Sequence, residues 1–432
     1  MKITELTGQT RQTLMQELSS RNAGNYAAYE EKVRAILEEV RARGDEAVFE
    51  FTKRFDRIDI NESNFKVTKE EIEEAYTKVP EDLLRIIRSA MANIRSYHEK
   101  QLRNTWIDTR ADGSILGMKI TALESVGVYV PGGKAAYPSS VLMNIVPAKV
   151  AGVKRITMTT PAGADGKVYP VTLVAANEAG ATEIFKAGGA QAIAALAYGT
   201  KSIGKVDKIV GPGNVYVAVA KKNVYGQVGI DSVAGPSEIL VLADKTADYR
   251  YVAADLLSQA EHDEMASAIL VTTDRTLAEN VLKETERLSE VLTRSTIIKK
   301  SLESFGRIFL ADNMETAIEA VNDIASEHLE IITENPFAIM AKVKNAGAIF
   351  LGPWSSEPLG DYFAGPNHVL PTSGTAKFFS PLCVDDFIKK TSIIAYTEEA
   401  LAPIYKDIIG FAEYEGLTAH ANSIAVRFNE GK

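Results

Sequence analysis

The chain has 432 residues, 46% of them hydrophobic and 24% charged, with a formal net charge of −9. That composition suits a globular chain of two or three domains, and an acidic balance without a basic stripe argues against a nucleic-acid partner. Cys383 is the single cysteine, so an intrachain disulfide is excluded. The N-terminus carries no apolar targeting segment, and no run approaches the roughly 18 apolar residues of a membrane span. A cytoplasmic protein with no membrane contact is the expectation.

Residues 5 to about 103 read as helices. Val33, Ile36, Leu37 and Val40 repeat at helical spacing. Thr68-Lys69-Glu70-Glu71 has the spacing of a capping box and predicts a helix ending before Pro80. Pro80 opens another helix toward Gln101, and His98 on that charged helix reads as a surface residue.

Near Thr105 the pattern changes. Trp106 to Asp108, Lys119 to Thr121 and Val126 to Val130 predict short strands. After Pro131-Gly132-Gly133, apolar strands alternate with Ala-rich helices, the βαβ pattern of a parallel sheet. The pattern runs twice. Ile156 to Thr160 matches Ile269 to Thr273, Glu183 to Phe185 matches Arg307 to Phe309, and Lys208 to Val210 matches Glu330 to Ile332. The second copy carries an insertion near 280–303.

The predicted fold is α/β. It has two related Rossmann-like domains, doubly wound and mostly parallel, with a helical N-terminal region and a short C-terminal tail. The boundaries are 1–104 for the helical region, 105–129 with 237–380 for one domain, 130–236 for the other, and 381–432 for the tail. Two such domains predict a cleft at the carboxyl ends of their strands, where ligands bind. The tail reads as helix-like segments, is too short for a core of its own and must dock on the body or on another subunit.

Several stretches carry chemistry. Asp248 to Met265 reads as one helical run, which sets Gln259 and His262 three apart on one face as half of a possible metal site. The same stretch also suits a solvated helix end. Gly211-Pro212-Gly213-Asn214, between strand and helix, suits either a phosphate seat or a tight βα turn. Glu327 and His328 lie side by side at a helix–strand boundary, able to share proton transfer. Asp361 and His368 lie in a long Gly/Pro-rich loop, and Glu415 and His420 in the tail.

These motifs resemble the histidinol dehydrogenase family. The resemblance spans nearly the whole chain. It rests on Ile230 to Glu238, Tyr129 to Gly133, Gly211 to Tyr216, Ser258 to His262, Ser326 to Glu330 and Gly360 to His368, in order. It implies oxidation of L-histidinol to L-histidine through the aldehyde, with two molecules of NAD reduced. It implies one zinc ion per subunit on Gln259, His262, Asp361 and His420, and NAD contacts from Tyr129, Gln191 and Asn214. Substrate contacts would come from Ser237, His368, Glu415 and His328 together with the metal residues, and proton transfers from Glu327 and His328. The domain of 237–380 would then hold the metal and catalytic residues, and that of 130–236 the NAD contacts. A homodimer with sites near the subunit interface is implied, and the tail would dimerise. A zinc hydrolase using Glu327 as base is the alternative, weakened by the lack of a His-Glu-x-x-His stretch.

Overall fold

The computed structural model describes residues 1–23, 26–132 and 136–430, so Gly133 of the 129–133 motif lies outside the described residues. The chain opens with strand β1 (Ile3–Glu5) and helices α1 (Gly8–Ala23), α2 (Tyr26–Arg43), α3 (Asp45–Phe55), α4 (Lys69–Lys78) and α5 (Glu81–Glu99). Strands β2 (Trp106–Thr109), β3 (Ile115–Ala122) and β4 (Ser125–Tyr129) follow. The first alternating stretch is α6 (Pro138–Ala151), β5 (Arg155–Thr159), α7 (Pro170–Ala179), β6 (Glu183–Phe185), α8 (Gly189–Tyr198), β7 (Lys208–Val210), α9 (Val215–Val224) and β8 (Gly229–Ile230). The second is β9 (Glu238–Ala243), α10 (Tyr249–Ala260), β10 (Ser267–Thr272), α11 (Arg275–Val291), α12 (Ser295–Phe305), β11 (Gly306–Leu310), α13 (Met314–Ile324), β12 (His328–Ile332), α14 (Pro336–Met340), β13 (Ala348–Leu351) and α15 (Glu357–Tyr362). The chain closes with β14 (Ile388–Ala395), α16 (Glu398–Leu401), α17 (Tyr405–Tyr414) and α18 (Thr418–Ala425).

Both parallel sheets have one topology. The first runs β6-β5-β4-β7-β8, and the second β11-β10-β9-β12-β13 with β1 added beyond β11. The three strand matches read from the sequence therefore occupy equivalent places in the two sheets. The insertion near 280–303 is α11 and α12, where the first copy has α7 alone.

Strands buried on both faces read as unbroken apolar runs, and alternate residues feed different cores. In the second sheet Ile239, Val241, Leu270 and Ile308 join one core, while Leu240, Leu242, Ile269 and Leu329 join the other. In the first sheet Val126, Val128, Ile156 and Met158 face the core that also takes Ala75, Ile87 and Ile94 from α4 and α5. Val33, Val40 and Phe51 of α2 and α3 complete the opposite core. Helices α2 to α5 are therefore walls of the first sheet, while Leu14 of α1 joins a core of the second.

Thr68 caps α4 as its spacing predicts. Its hydroxyl accepts from the Glu71 N–H at 3.2 Å, and Glu71 Oε2 accepts from the Thr68 N–H at 3.0 Å. His98 differs from expectation, because it is fully buried. It extends the stripe of Ile87, Ala90 and Ile94 on α5, four residues beyond Ile94. Its Nδ1 donates to the Ile94 carbonyl at 2.8 Å, which satisfies the ring inside the core.

Three expectations about organisation are corrected. Strand β4, grouped in the sequence with 237–380, is the central strand of the first sheet. Strands β2 and β3 join neither parallel sheet; they form an antiparallel sheet ordered β14-β3-β2. The tail is not helical alone, since β14 pairs β3 from Ile388↔Ala122 to Ala395↔Ile115. A strand must satisfy its backbone groups by pairing, and here the partner lies far off in sequence. The chain divides accordingly into a larger unit, Met1–Gln101 with Leu123–Phe387, and a smaller one, Leu102–Ala122 with Ile388–Lys432. No described helix is long and apolar enough to cross a membrane.

Candidate active site

The predicted catalytic pair sits at the amino end of the second sheet. His328 is the first residue of β12, and Glu238 opens the neighbouring β9. The Glu327 carboxylate accepts from the Glu238 N–H at 2.9 Å. The His328 Nδ1 donates to the Glu238 carbonyl at 3.0 Å. That bond sets the tautomer and leaves the Nε2 lone pair free. Nε2 is buried, has no hydrogen-bond partner, and lies 3.9 Å from both Glu357 Oε1 and Asp361 Oδ1. Gly347 makes the packing possible, because a Cβ there would lie 2.4 Å from the Glu327 carbonyl oxygen. Arg21 of α1 secures Glu238 through a buried ion pair at 2.9 Å.

The cleft was expected at the carboxyl ends of the strands, and for this sheet that expectation is corrected. Residues 231–237 join the end of β8 to the start of β9. Seven residues span at most about 25 Å. The end of β8, at the carboxyl end of the first sheet, and the start of β9, at the amino end of the second, therefore lie within about 25 Å of each other.

His262, Glu357 and Asp361 bring one ligand atom each within 4.8 Å of one another. Gln259 is buried at the end of α10, and its Oε1 has no partner. The helix ends at Ala260, so His262 lies on the turn beyond it and not on a shared helix face. Asp361 belongs to the short helix α15, not to an open loop. The His368 Nδ1 donates to the Asp361 carbonyl at 3.1 Å and lies 3.6 Å from its carboxylate. Ser237 is half-buried beside Glu238.

Crowded carboxyls and imidazoles shift one another here. Burial holds His328 down to about 4, so the ring is neutral at pH 7. Burial, then the Glu238, Asp361 and Glu357 charges, raise Glu327 well above the carboxylate range, against the bond from Glu238 N–H. Burial and Asp361 push Glu357 up to about 8. Burial also acts to raise Asp361, but His368, His328 and His262 outweigh it and hold that carboxyl below its usual value.

The sequence reading passed over Glu330 and Glu357. Glu330 is two residues after His328, on the same face of β12. Its Oε1 accepts from the Glu357 N–H at 2.7 Å, which fixes the start of α15. A carboxylate inside the apolar run Leu329 to Ile332 was the available signal. Burial, then the neighbouring Asp255 carboxyl, raise Glu330 well above its ordinary value. A carboxyl raised on folding stabilises the fold at low pH, and that contribution is lost as pH climbs toward the folded value. Glu330→Gln keeps the neutral shape at every pH. It is expected to change stability little near pH 4 and to raise it at pH 8. Urea unfolding at both pH values checks this, and a destabilised variant at pH 8 refutes it.

Tyr129, Gln191 and Asn214 lie at the carboxyl ends of the first sheet: Tyr129 ends β4, Gln191 follows β6 and Asn214 follows β7. The Tyr129 hydroxyl accepts from the Gly189 N–H at 3.3 Å. Both polar atoms of the buried Gln191 side chain lack partners. Asn214 caps α9, its Oδ1 accepting from Tyr216 and Val217 N–H. Gly211, at φ 113°, packs so tightly that a Cβ would lie 2.0 Å from the Tyr129 carbonyl oxygen. The buried Lys221–Asp231 pair straps this turn, with Lys221 Nζ donating to the Gly211 carbonyl at 3.0 Å. The structure thus gives Gly211 a turn-building role.

Glu415 and His420 belong to the smaller unit, so the cluster in the larger unit contains neither. Both are exposed and line a groove of about 950 Å³ with Ile408, Phe411 and Leu417.

Comparison with known proteins agrees with this geometry. The family model described as histidinol dehydrogenase matches residues 19–428. The chain is 55% identical over 430 residues to the histidinol dehydrogenase of Bacillus licheniformis, covering 100% of both. It is 55% identical over 427 residues to that of Bacillus subtilis, covering 99% of each. The crystal structure of histidinol dehydrogenase from Elizabethkingia anophelis superposes with a TM-score of 0.94 at 37% identity, covering 99% of this chain and 98% of that one. On these grounds the chain is an oxidoreductase that belongs to the histidinol dehydrogenase family.

Proposed function

We propose that this chain oxidises L-histidinol to L-histidine through a retained aldehyde, using NAD and one zinc ion per site, as a cytoplasmic homodimer. The observation that carries the reading is His328: a buried, neutral imidazole with a set tautomer and an unpartnered Nε2, facing Glu357 and Asp361. Such a group is built to accept a proton.

The residues fit the two absent groups. Imidazole nitrogen and carboxylate oxygen from His262 and Asp361, with the orphaned Gln259 Oε1, form a donor set suited to zinc. The resemblance would make His420 the fourth ligand, and Glu357 lies within the cluster of His262 and Asp361. Zinc held there would supply positive charge to bind and orient the substrate. The orphaned Gln191 amide, with Tyr129 and Asn214, offers polar contacts to NAD. NAD takes up one hydride in each of two oxidations.

The remaining work falls to the protein. His328 Nε2 takes the hydroxyl proton in the first oxidation. Glu327 takes a proton from the water that adds to the aldehyde. Ser237, His368 and Glu415 hold the substrate in register. The exposed Phe411 and Ile408 beside His420 offer an apolar face for a second copy of the chain.

The test is purified protein with L-histidinol and NAD, following NADH absorbance, with and without a chelator. Two NADH per histidinol, lost with chelator and restored by zinc, is expected. No absorbance rise with zinc restored overturns the proposal.

A further inference from the structure

Asp56 follows α3 and takes no part in the chemistry above. Its backbone N–H closes that helix on the Thr52 carbonyl, so its carboxylate stands at a helix carboxyl terminus. The helix dipole disfavours an anion there. Its Oδ2 is buried without a hydrogen-bond partner. Burial alone shifts its carboxyl, up to about 6, with no cation among the causes. A carboxylate placed at such cost needs a donor that the protein does not supply.

Its surroundings point to one. A Cβ on Gly188 would lie 3.4 Å from Asp56 Oδ2 and 2.9 Å from Pro161 Cβ. Asp56 therefore lies beside the turn that leaves β5 and the turn that enters α8. Three further buried polar atoms lack partners at these strand ends: Thr159 Oγ1 and both polar atoms of Gln191. In a doubly wound sheet, the carboxylate that receives the ribose hydroxyl sits at the end of the second strand. Here that strand is β5, and Thr160-Pro161-Ala162-Gly163-Ala164 after it holds no acid. The first acid, Asp165, accepts from the Lys167 N–H within its own turn.

We propose that Asp56, reaching in from the N-terminal helices, is the acceptor for the adenosine ribose diol and sets the preference of this site for NAD over its 2′-phosphorylated form. This rests on the NAD reading above. An anionic acceptor holds a diol by charge-assisted bonds and repels a 2′-phosphate.

Calorimetric titration of NAD+, NADP+ and 2′-deoxy-NAD+ into the protein without histidinol tests this. The intact protein should bind NAD+ at least about tenfold tighter than NADP+ or the 2′-deoxy analogue. Asp56→Asn should weaken NAD+ by about tenfold and leave NADP+ unchanged or tighter. Asp56→Ser should narrow the preference further, as it also makes room. Binding of NAD+ with the preference unchanged in both folded variants overturns the role of Asp56 and leaves the NAD reading standing. Equal binding of NAD+ and the 2′-deoxy analogue by the intact protein overturns it too, even where the variants fail to fold. No binding of either dinucleotide overturns both readings.

Discussion

Glu327→Gln is expected to leave the oxidation of L-histidinol to the aldehyde largely intact and to slow oxidation of the aldehyde by about 10²–10⁴-fold. The substitution keeps the shape and the acceptor for the Glu238 N–H, now held at 2.9 Å. His328 therefore keeps its place, since its own anchor is the Glu238 carbonyl. What is lost is a group able to take a proton from water. Burial, then the charges of Glu238, Asp361 and Glu357, raise Glu327 above the usual carboxylate range, against the bond from the Glu238 N–H. A cation beside Asp361 and Glu357 would offset two of those causes and act to lower it. Rapid-mixing assays started with histidinol and with histidinaldehyde separate the two steps. Unchanged oxidation of added aldehyde would falsify the role given to Glu327.

The second large effect concerns the metal. His262→Asn and His420→Asn should each lose most of their zinc on dialysis, read by elemental analysis, with oxidation lost in parallel. The two residues stand in different units of the chain. In a dimer whose sites take His420 from the partner, co-expressed His262→Asn and His420→Asn chains regenerate one intact site per mixed dimer. Random pairing then restores about a quarter of the normal activity. Full zinc retention by His420→Asn refutes its place as a ligand. No recovery in the mixture places both ligands on one chain.

Local features were legible because they are local. The capping box at Thr68 and the apolar runs of β5, β7, β10 and β12 depend on spacing within a few residues. The twofold βαβ pattern survives as paired strands in two sheets of one order. That α10 stops before His262 and that α15 encloses Asp361 was not visible in the spacing of either stretch. The raised Glu330 carboxyl and the isolation of Asp56 were not legible, since each is set by neighbours distant in the chain. The same holds for β3, whose partner β14 begins some 266 residues beyond its end at Ala122.

By itself, then, the sequence determined the element types, the repeated α/β plan and the residues that carry the resemblance to one family. Tertiary structure decided how the candidate pair is held, because Glu327 and His328 are anchored on Glu238 at the start of β9, far off in the chain. It also decided which carboxyls are raised above their usual range, because burial and neighbouring charge, not residue type, set those equilibria.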